Sequence, residues 1–343
     1  PDPSLFFNFL LRVKYDDGIA VYINGVDKLR QNLSTTATFG SFANGTVGDE
    51  AGWKDFTLPR SELVPGLIGY WPFNSASEIE GDQVVVDLVA GREGAVNGTG
   101  VTAAPGRTGA VGDYAIDFGT AGDTSVTIEY VNDWMKAASD ADQMSVSVWQ
   151  RLHSIVSTST FWFSSASASG GGRNFHAHIP WGNNNIYFDT AGCCGGDTRI
   201  SKAGGIDFLE WHHFVFIKNG ENKSIYIDGE LFHEGVNSGA LFDDWGVTYL
   251  GVNDGGTGGH LAGIVDDFAV WGRAITPDEI ATIYNGGSGS PLITDALSAG
   301  ANTIAVEIHQ ASGGSSDIRF DMMLRGETSQ AGGDNVSVPL FIT

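Results

Sequence analysis

Ile225-Tyr226-Ile227-Asp228-Gly229-Glu230-Leu231 and its echo Val21-Tyr22-Ile23-Asn24-Gly25-Val26-Asp27 set the class of fold. In each, apolar residues alternate up to an Asp-Gly or Asn-Gly pair, the dipeptides that accept the positive φ angles of a tight hairpin turn. The same period-two pattern continues outward. Leu11 to Tyr15 alternates, and Ile19 to Ile23 follows after Asp16-Asp17-Gly18, which reads as a further hairpin turn. Between Asn302 and Gln310, Ile304, Val306 and Ile308 share one face, and between Ser316 and Leu324 so do Ile318, Phe320 and Met322. The one convincing helix is short. Thr276 is its N-cap, Pro277 its first residue and Glu279 its capping-box acid, and Asn285-Gly286-Gly287 stops it after Tyr284. The chain therefore reads as all-β with one helix near 276–284.

Composition narrows the function. The 343 residues carry 41 acidic and 18 basic side chains, a net charge of −23, yet only 17% are charged and 42% are hydrophobic. That apolar share builds cores, so this is no disordered acidic tail. A phosphate backbone or an anionic membrane surface demands a basic footprint, which is missing, so nucleic acid and membrane are excluded as partners. No run approaches the roughly 18 apolar residues of a membrane-spanning helix. The acidic balance suits a secreted, extracellular or cell-surface protein in a salty or calcium-containing medium. With no initiating Met and no leader, the chain is expected to be a mature protein or a piece of a larger one.

Two sets of motifs resemble known modules. Residues 13–32 (VKYDDGIAVYINGVDKLRQN), 53–58 (WKDFTL) and 299–324 (AGANTIAVEIHQASGGSSDIRFDMML) are similar to the strands of a galactose-binding-like jelly roll found in exported bacterial proteins, but more than 200 residues intervene after 66. The intervening part resembles a laminin-G/pentraxin-type, concanavalin A-like sandwich. Its pieces come in order: Gly69 to Asn74 (GYWPFN), Tyr114 to Gly119 (YAIDFG), Met144 to Trp149 (MSVSVW), Trp211 to Phe216 (WHHFVF), Ile225 to Gly229, Thr248 to Gly251, Gly263 to Trp271 (GIVDDFAVW) and Arg273 to Ile280. The resemblance implies one β-sandwich, 66–290, inserted into another made of 1–65 and 291–343. Compact domains with close termini tolerate such insertion, and Gly286 to Ser290 reads as a flexible return linker.

The concanavalin-like class contains glycan-cleaving enzymes, whose carboxylates sit on one strand as Glu-x-Asp-x-x-Glu and so aim into one cleft. No such string occurs. Glu78-Ile79-Glu80-Gly81-Asp82 comes nearest, but it falls in a loop and lacks a third acid, so no catalytic residue is assigned and the protein is read as a non-enzyme. Calcium, a hard cation that takes oxygen donors, is the expected cofactor. The resemblance suggests Asp266 as a ligand, with Asn74 and Asp87 as partners; alternation sends Asp266 and Asp267 to opposite faces, and the plainer reading is that they satisfy backbone amides or an arginine. Asp16 and Asp17 are turn residues before they are ligands. Glu307 and His309 share a strand face, where structural pairing is the simpler role.

The chemically richest segment runs from His176 to Asp189 (HAHIPWGNNNIYFD) into Thr190 to Ile200 (TAGCCGGDTRI), and it resembles a subgroup of bacterial laminin-G-like modules with an HxPW strand and a GCCGG loop. His176, His178, Trp181, Asn183, Tyr187, Asp189 and Arg199 are what a sugar site uses: aromatic faces for C–H stacking and planar polar groups for hydroxyls. The plainer reading is a hairpin with one buried Trp. His176 and His178, two apart on a strand, point the same way, but no Cys/His quartet with structural-zinc spacing completes a metal site.

The expected function is a non-catalytic carbohydrate-binding or adhesion protein whose partner is a glycan or cell-surface polysaccharide. The alternative is a structural subunit of a surface fibre or layer. There the last segment, Val336 to Thr343 (VSVPLFIT), pairs either at home or in the next copy by strand addition, giving a homo-polymer through terminal strands. A targeting module of a larger hydrolase is a third reading.

The only cysteines, Cys193 and Cys194, are adjacent. Their Cα atoms are held about 3.8 Å apart by the trans peptide, short of the usual disulfide range of about 4.4–6.8 Å, while Gly192, Gly195 and Gly196 allow the angles a strained vicinal bond needs. A vicinal disulfide is expected. Intact mass without reductant should show two hydrogens missing and thiol titration should find none; two titratable thiols in the native protein would refute it.

Overall fold

The computed structural model describes residues 8–47, 52–58, 61–62, 64–109, 113–129, 131–156, 161–166, 174–192, 196–253, 258–287, 289–293, 303–314, 320–328 and 336–340. The chain divides into two compact units, Pro1–Leu63 with Leu292–Thr343, and Val64–Pro291. It is nearly all β, as the alternation implies.

In the first unit, a four-stranded sheet is ordered Val336–Leu340, Phe320–Thr328, Asn8–Tyr15, Lys54–Leu58. A three-stranded sheet is ordered Ile304–His309, Gly18–Ile23, Val26–Gln31. Alternate residues Phe9, Leu11, Val13 and Tyr15 of one sheet pack with Ile19, Val21, Ile23 and Leu29 of the other. The Asn24-Gly25 turn has both central φ angles positive, 51° and 83°, and pairs Ile23 with Val26. Asp16-Asp17-Gly18, however, is not a hairpin. The strands on either side of it belong to different sheets, so the chain turns a corner between layers. Asp17 (φ 60°) fixes that corner: its Oδ1 accepts from the amide of Val47 at 3.0 Å and its Oδ2 from that of Ala311 at 2.6 Å. Gly18 is required, because a Cβ there would lie 2.9 Å from Ala43 Cβ and from Leu33 Cδ2. His309 Nδ1 donates to the Ser41 carbonyl (2.7 Å) and its Nε2 lies 3.2 Å from Glu307 Oε2, a structural pairing. The strand Val336–Leu340 pairs within its own chain, antiparallel to Phe320–Thr328. Ile318 lies outside the described residues.

The second unit has two eight-stranded sheets. The first is ordered Glu230–Val236, Asn222–Ile227, His212–Asn219, Gln143–Leu152, Gly263–Trp271, Tyr114–Asp117, Thr102–Pro105, and Leu67–Trp71 also pairs with Gly263–Trp271. The second is ordered Arg199–Ala203, Asn185–Thr190, Asn174–His178, Trp162–Ala166, Trp245–Leu250, Ser125–Ile128, Glu93–Asn97, Val84–Val86. Their inner faces meet in an aromatic core. Trp162 lies edge-on to Phe216 of the opposite sheet at 5.1 Å, and Phe188 meets the same Phe216 at 5.4 Å.

Every residue of Gly263–Trp271 is buried, and a bulge interrupts it: Ser147 pairs with Ala269, but Trp149 pairs with Asp266. Asp267 absorbs the extra residue with φ 52°. The bulge undoes the alternation expected of the two acids, and both meet Arg107. Asp266 Oδ2 accepts from the Arg107 amide (3.0 Å) and Asp267 Oδ2 from its Nε (2.9 Å). The same guanidinium sits 4.6 Å from the Trp149 ring centre and donates to the carbonyls of Gly287 (2.6 Å) and Gly289. The expected flexible linker is thus pinned by one arginine.

The helix Pro277–Tyr284 has its capping box: Thr276 Oγ1 accepts from the Glu279 amide at 3.3 Å, and Glu279 Oε2 accepts from the Thr276 amide at 2.8 Å. A second helix, Asn132–Ala141, was not expected. Val131 at its N-cap makes no side-chain cap bond, so the sequence carries no start signal; burial of Met135 and Ala138, and packing of Trp134 on Trp71 at 5.9 Å, hold it.

His213 is buried between Trp149 (5.0 Å) and Tyr284 (6.0 Å), with Nε2 2.7 Å from Ser147 Oγ. Burial, reinforced by the charge of Arg107, depresses its pKa to about 3. The unfolded chain takes up this proton near pH 6.5, so the stabilising contribution is complete above that pH. It is lost at about 1.4 kcal/mol per unit as the pH falls towards 3. Urea unfolding at pH 7 and pH 5 should show the native chain losing about 2 kcal/mol more than His213→Phe; equal losses would contradict this account.

Candidate functional site

The strands Asn174–His178 and Asn185–Thr190 are joined by the turn at Trp181-Gly182-Asn183-Asn184, closed by Asn184 N to Trp181 O at 2.8 Å and Trp181 N to Asn185 O at 2.8 Å. Asn184 takes φ 65° and the Asn183 carboxamide oxygen accepts from the Asn185 amide (3.0 Å), so the asparagine run is turn chemistry. Register then follows: His178 lies opposite Tyr187, His176 opposite Asp189, and on the next strand Arg199 opposite Asp189. Phe175, Ala177, Ile186, Phe188 and Ile200 alternate with these and fill the core. The polar residues therefore occupy the sheet face turned away from that core.

The structure brings all seven sugar-site candidates together. Asp189 is the hub. Arg199 donates to it through Nε (2.7 Å, Oδ1) and a terminal nitrogen (2.8 Å, Oδ2), and His176 Nε2 lies 3.1 Å from Oδ2. His176 Nε2 is also 3.2 Å from His178 Nε2. The Trp181 ring stands edge-on to His178 at 4.5 Å, and the Arg199 guanidinium lies 4.4 Å from the Tyr187 ring centre. The Tyr187 hydroxyl receives hydrogen bonds from Asn183 (2.8 Å) and Asn185 (3.3 Å). His176, His178 and Asp189 are 3%, 4% and 0% exposed and form a floor; Trp181, Asn183, Tyr187 and Arg199 reach solvent above it.

Burial alone would raise the Asp189 carboxyl, but the hydrogen bonds and charges of His176 and Arg199 prevail and hold it near 2. Lys223, reaching in from the other sheet, donates to the carbonyls of Phe188 (2.7 Å) and Thr198 (3.1 Å), and burial lowers its ammonium to about 6. Lys223 carried no signal in the sequence, since it belongs to a hairpin more than 20 residues away in sequence. The His176–Asp189 pairing did carry one: counting outward symmetrically from the Trp181–Asn184 turn puts the two opposite each other. Asn184 also lines a cleft of about 430 Å³ with His153, Ile155, Phe208 and Leu209.

The residues suggested for calcium are each engaged elsewhere. The Asp87 carboxylate accepts from the amides of Tyr70 (2.7 Å), Val89 (2.9 Å) and Ala90 (3.0 Å) and from Arg92 (2.9 Å). Asn74 Oδ1 accepts from the Tyr114 amide at 2.9 Å. Asp266 Oδ1 has no hydrogen-bond partner among the described residues, but burial, with Asp267 and Asp113 nearby, pushes this acid well above the usual carboxylate range. With Asp87 accepting four hydrogen bonds, and Asn74 and Asp266 each accepting from a backbone amide, these three residues do not by themselves supply the six to eight oxygens calcium takes. Of the acids weighed for catalysis, Glu80 accepts from the Ala103 amide (2.9 Å) on the helical turn Glu78–Asp82. Cys193 and Cys194 lie outside the described residues.

Residues 120–281 match the family model Laminin_G_3, concanavalin A-like lectin/glucanases superfamily. Similar solved structures include domain 4 of AbnA, a GH43 extracellular arabinanase from Geobacillus stearothermophilus, in complex with arabinotriose; it is 18% identical, with 62% of this chain and 96% of that one covered and a TM-score of 0.46. The binding domain of botulinum neurotoxin DC is similar in its complex with SialylT (15% identical, 65% of this chain, 52% of that one, TM-score 0.46) and in its complex with rat synaptotagmin II (14%, 66%, 52%, 0.48). The chain spans about half the length of these toxin domains. No curated protein matches it.

Proposed function

We propose that this chain is a non-catalytic glycan-binding module that works outside the cell in carbohydrate binding or adhesion. One observation carries the reading: Trp181 and Asn183 of the turn and Tyr187 and Arg199 of the adjoining strands all reach solvent, preorganised by hydrogen bonds and by the buried Asp189 beside them. Aromatic edges and faces suit the C–H surface of a sugar ring, and a carboxamide and a guanidinium suit its hydroxyls. Groups already fixed by their neighbours lose little entropy on binding. The match of 120–281 to a lectin/glucanase superfamily supports this reading. The acidic, lysine-poor surface supports an extracellular setting.

A glycan array probed with the native chain should give a restricted set of hits. Trp181→Ala and Tyr187→Ala should each weaken those hits about tenfold or more, equivalent to about 1.4 kcal/mol, without lowering the melting temperature appreciably. Parallel arrays with calcium and with chelator test the calcium expectation separately. A flat array, or hits indifferent to both substitutions, would overturn the proposal.

A further inference from the structure

The geometry points to a transition-metal site at the floor of this face, in which His176 Nε2, His178 Nε2 and Asp189 Oδ2 bind one divalent ion of the zinc class. The three ligand atoms lie within 4.8 Å of one another, all on buried side chains of two adjacent strands. Zinc holds imidazole nitrogen at about 2.0–2.1 Å and carboxylate oxygen at about 2.0–2.2 Å. Tetrahedral geometry then sets neighbouring ligand atoms about 3.3–3.4 Å apart. Two of the three edges are already close to that spacing, at 3.2 Å between the histidines and 3.1 Å from His176 to Asp189.

The donor set selects the ion. Two imidazoles with one carboxylate favour zinc, cobalt or nickel, whereas calcium asks for an all-oxygen shell. Arg199 acts as a positioning residue: it donates to both Asp189 oxygens and so fixes the carboxylate plane with Oδ2 3.1 Å from His176 Nε2. An ion held by these three ligands completes a tetrahedral shell with one further ligand such as water. Because the ligands sit on paired strands, their spacing is set by sheet register and not by loop closure. The inference does not rest on the glycan reading, since metal binding is measured without sugar, and either can fail alone.

The test uses the full chain stripped with chelator and titrated with Zn²⁺, with bound metal counted by mass spectrometry and affinity measured by calorimetry. The expected result is one ion per chain, with affinity reduced about tenfold or more in His176→Ala and in His178→Gln, both checked for folding by circular dichroism. Loading the native chain with Co²⁺ should give the visible bands of a tetrahedral nitrogen/oxygen site and no thiolate charge-transfer band, which separates this site from Cys193 and Cys194. Sub-stoichiometric binding, affinity unchanged in both variants, or a thiolate spectrum would overturn the inference; a hydrogen-bonded His–His–Asp cluster without metal is what the first of these would reveal. The Co²⁺ spectrum of the native chain decides the matter even where a variant does not fold.

Discussion

A buried carboxylate on the wrong side of a sheet organises this molecule's most distinctive face. Asp189 is fully buried, yet it is directed away from the aromatic core, in a position that a strand normally gives to solvent. Burying an unpaired carboxylate costs several kcal/mol or more. Asp189 is held ionised by a two-point contact from Arg199 and a contact from His176, each delivered by a neighbouring strand in register. A one-residue slip of either strand would send these partners into the core and leave the carboxylate alone. The charge therefore specifies the register, and the register in turn places Trp181, Asn183 and Tyr187 around it.

A second buried cluster performs the corresponding task on the other sheet. Arg107 collects the two acids of the bulge at Asp266-Asp267, the face of Trp149 and the carbonyls of Gly287 and Gly289. The bulge lets two consecutive residues address one arginine, which regular pleating forbids. In this way the centre of the sheet and the segment after the C-terminal helix of the unit are tied to one guanidinium. Its partners are nearly all hydrogen-bonded, as a buried ionic network requires.

Much of this was legible in the sequence, where the governing forces are local. Alternation gave the strands, Asn24-Gly25 and Asp228-Gly229 gave tight turns with both φ angles positive, and Thr276 with Glu279 gave a capped helix. The misreadings fall where tertiary contacts overrule local signals. Asp16-Asp17-Gly18 has the composition of a hairpin, but the amides of Val47 and Ala311, far away in sequence, turn it into a corner between sheets. Strict alternation cannot foresee a bulge, so it puts Asp266 and Asp267 on opposite faces. The helix Asn132–Ala141 lacks a cap and exists because Met135, Ala138 and Trp134 find partners. For the site, residue types and their proximity were readable from one hairpin; the burial that separates a floor of His176, His178 and Asp189 from an exposed rim was not, because it depends on what covers the face.

Under the proposed function, a buried, charged floor holds a partly exposed aromatic and polar rim in place to meet a sugar. The most direct measurement is nuclear magnetic resonance mapping of the ¹⁵N-labelled chain with the oligosaccharide that gives the strongest array signal. The predicted result is saturable shifts of the Trp181 indole, the Asn183 carboxamide and the Arg199 Nε–H signals, with the Arg107 cluster and the cleft at Ile155 and Leu209 unmoved. Shifts centred on that cleft or elsewhere, with the Trp181 indole unchanged, would contradict it.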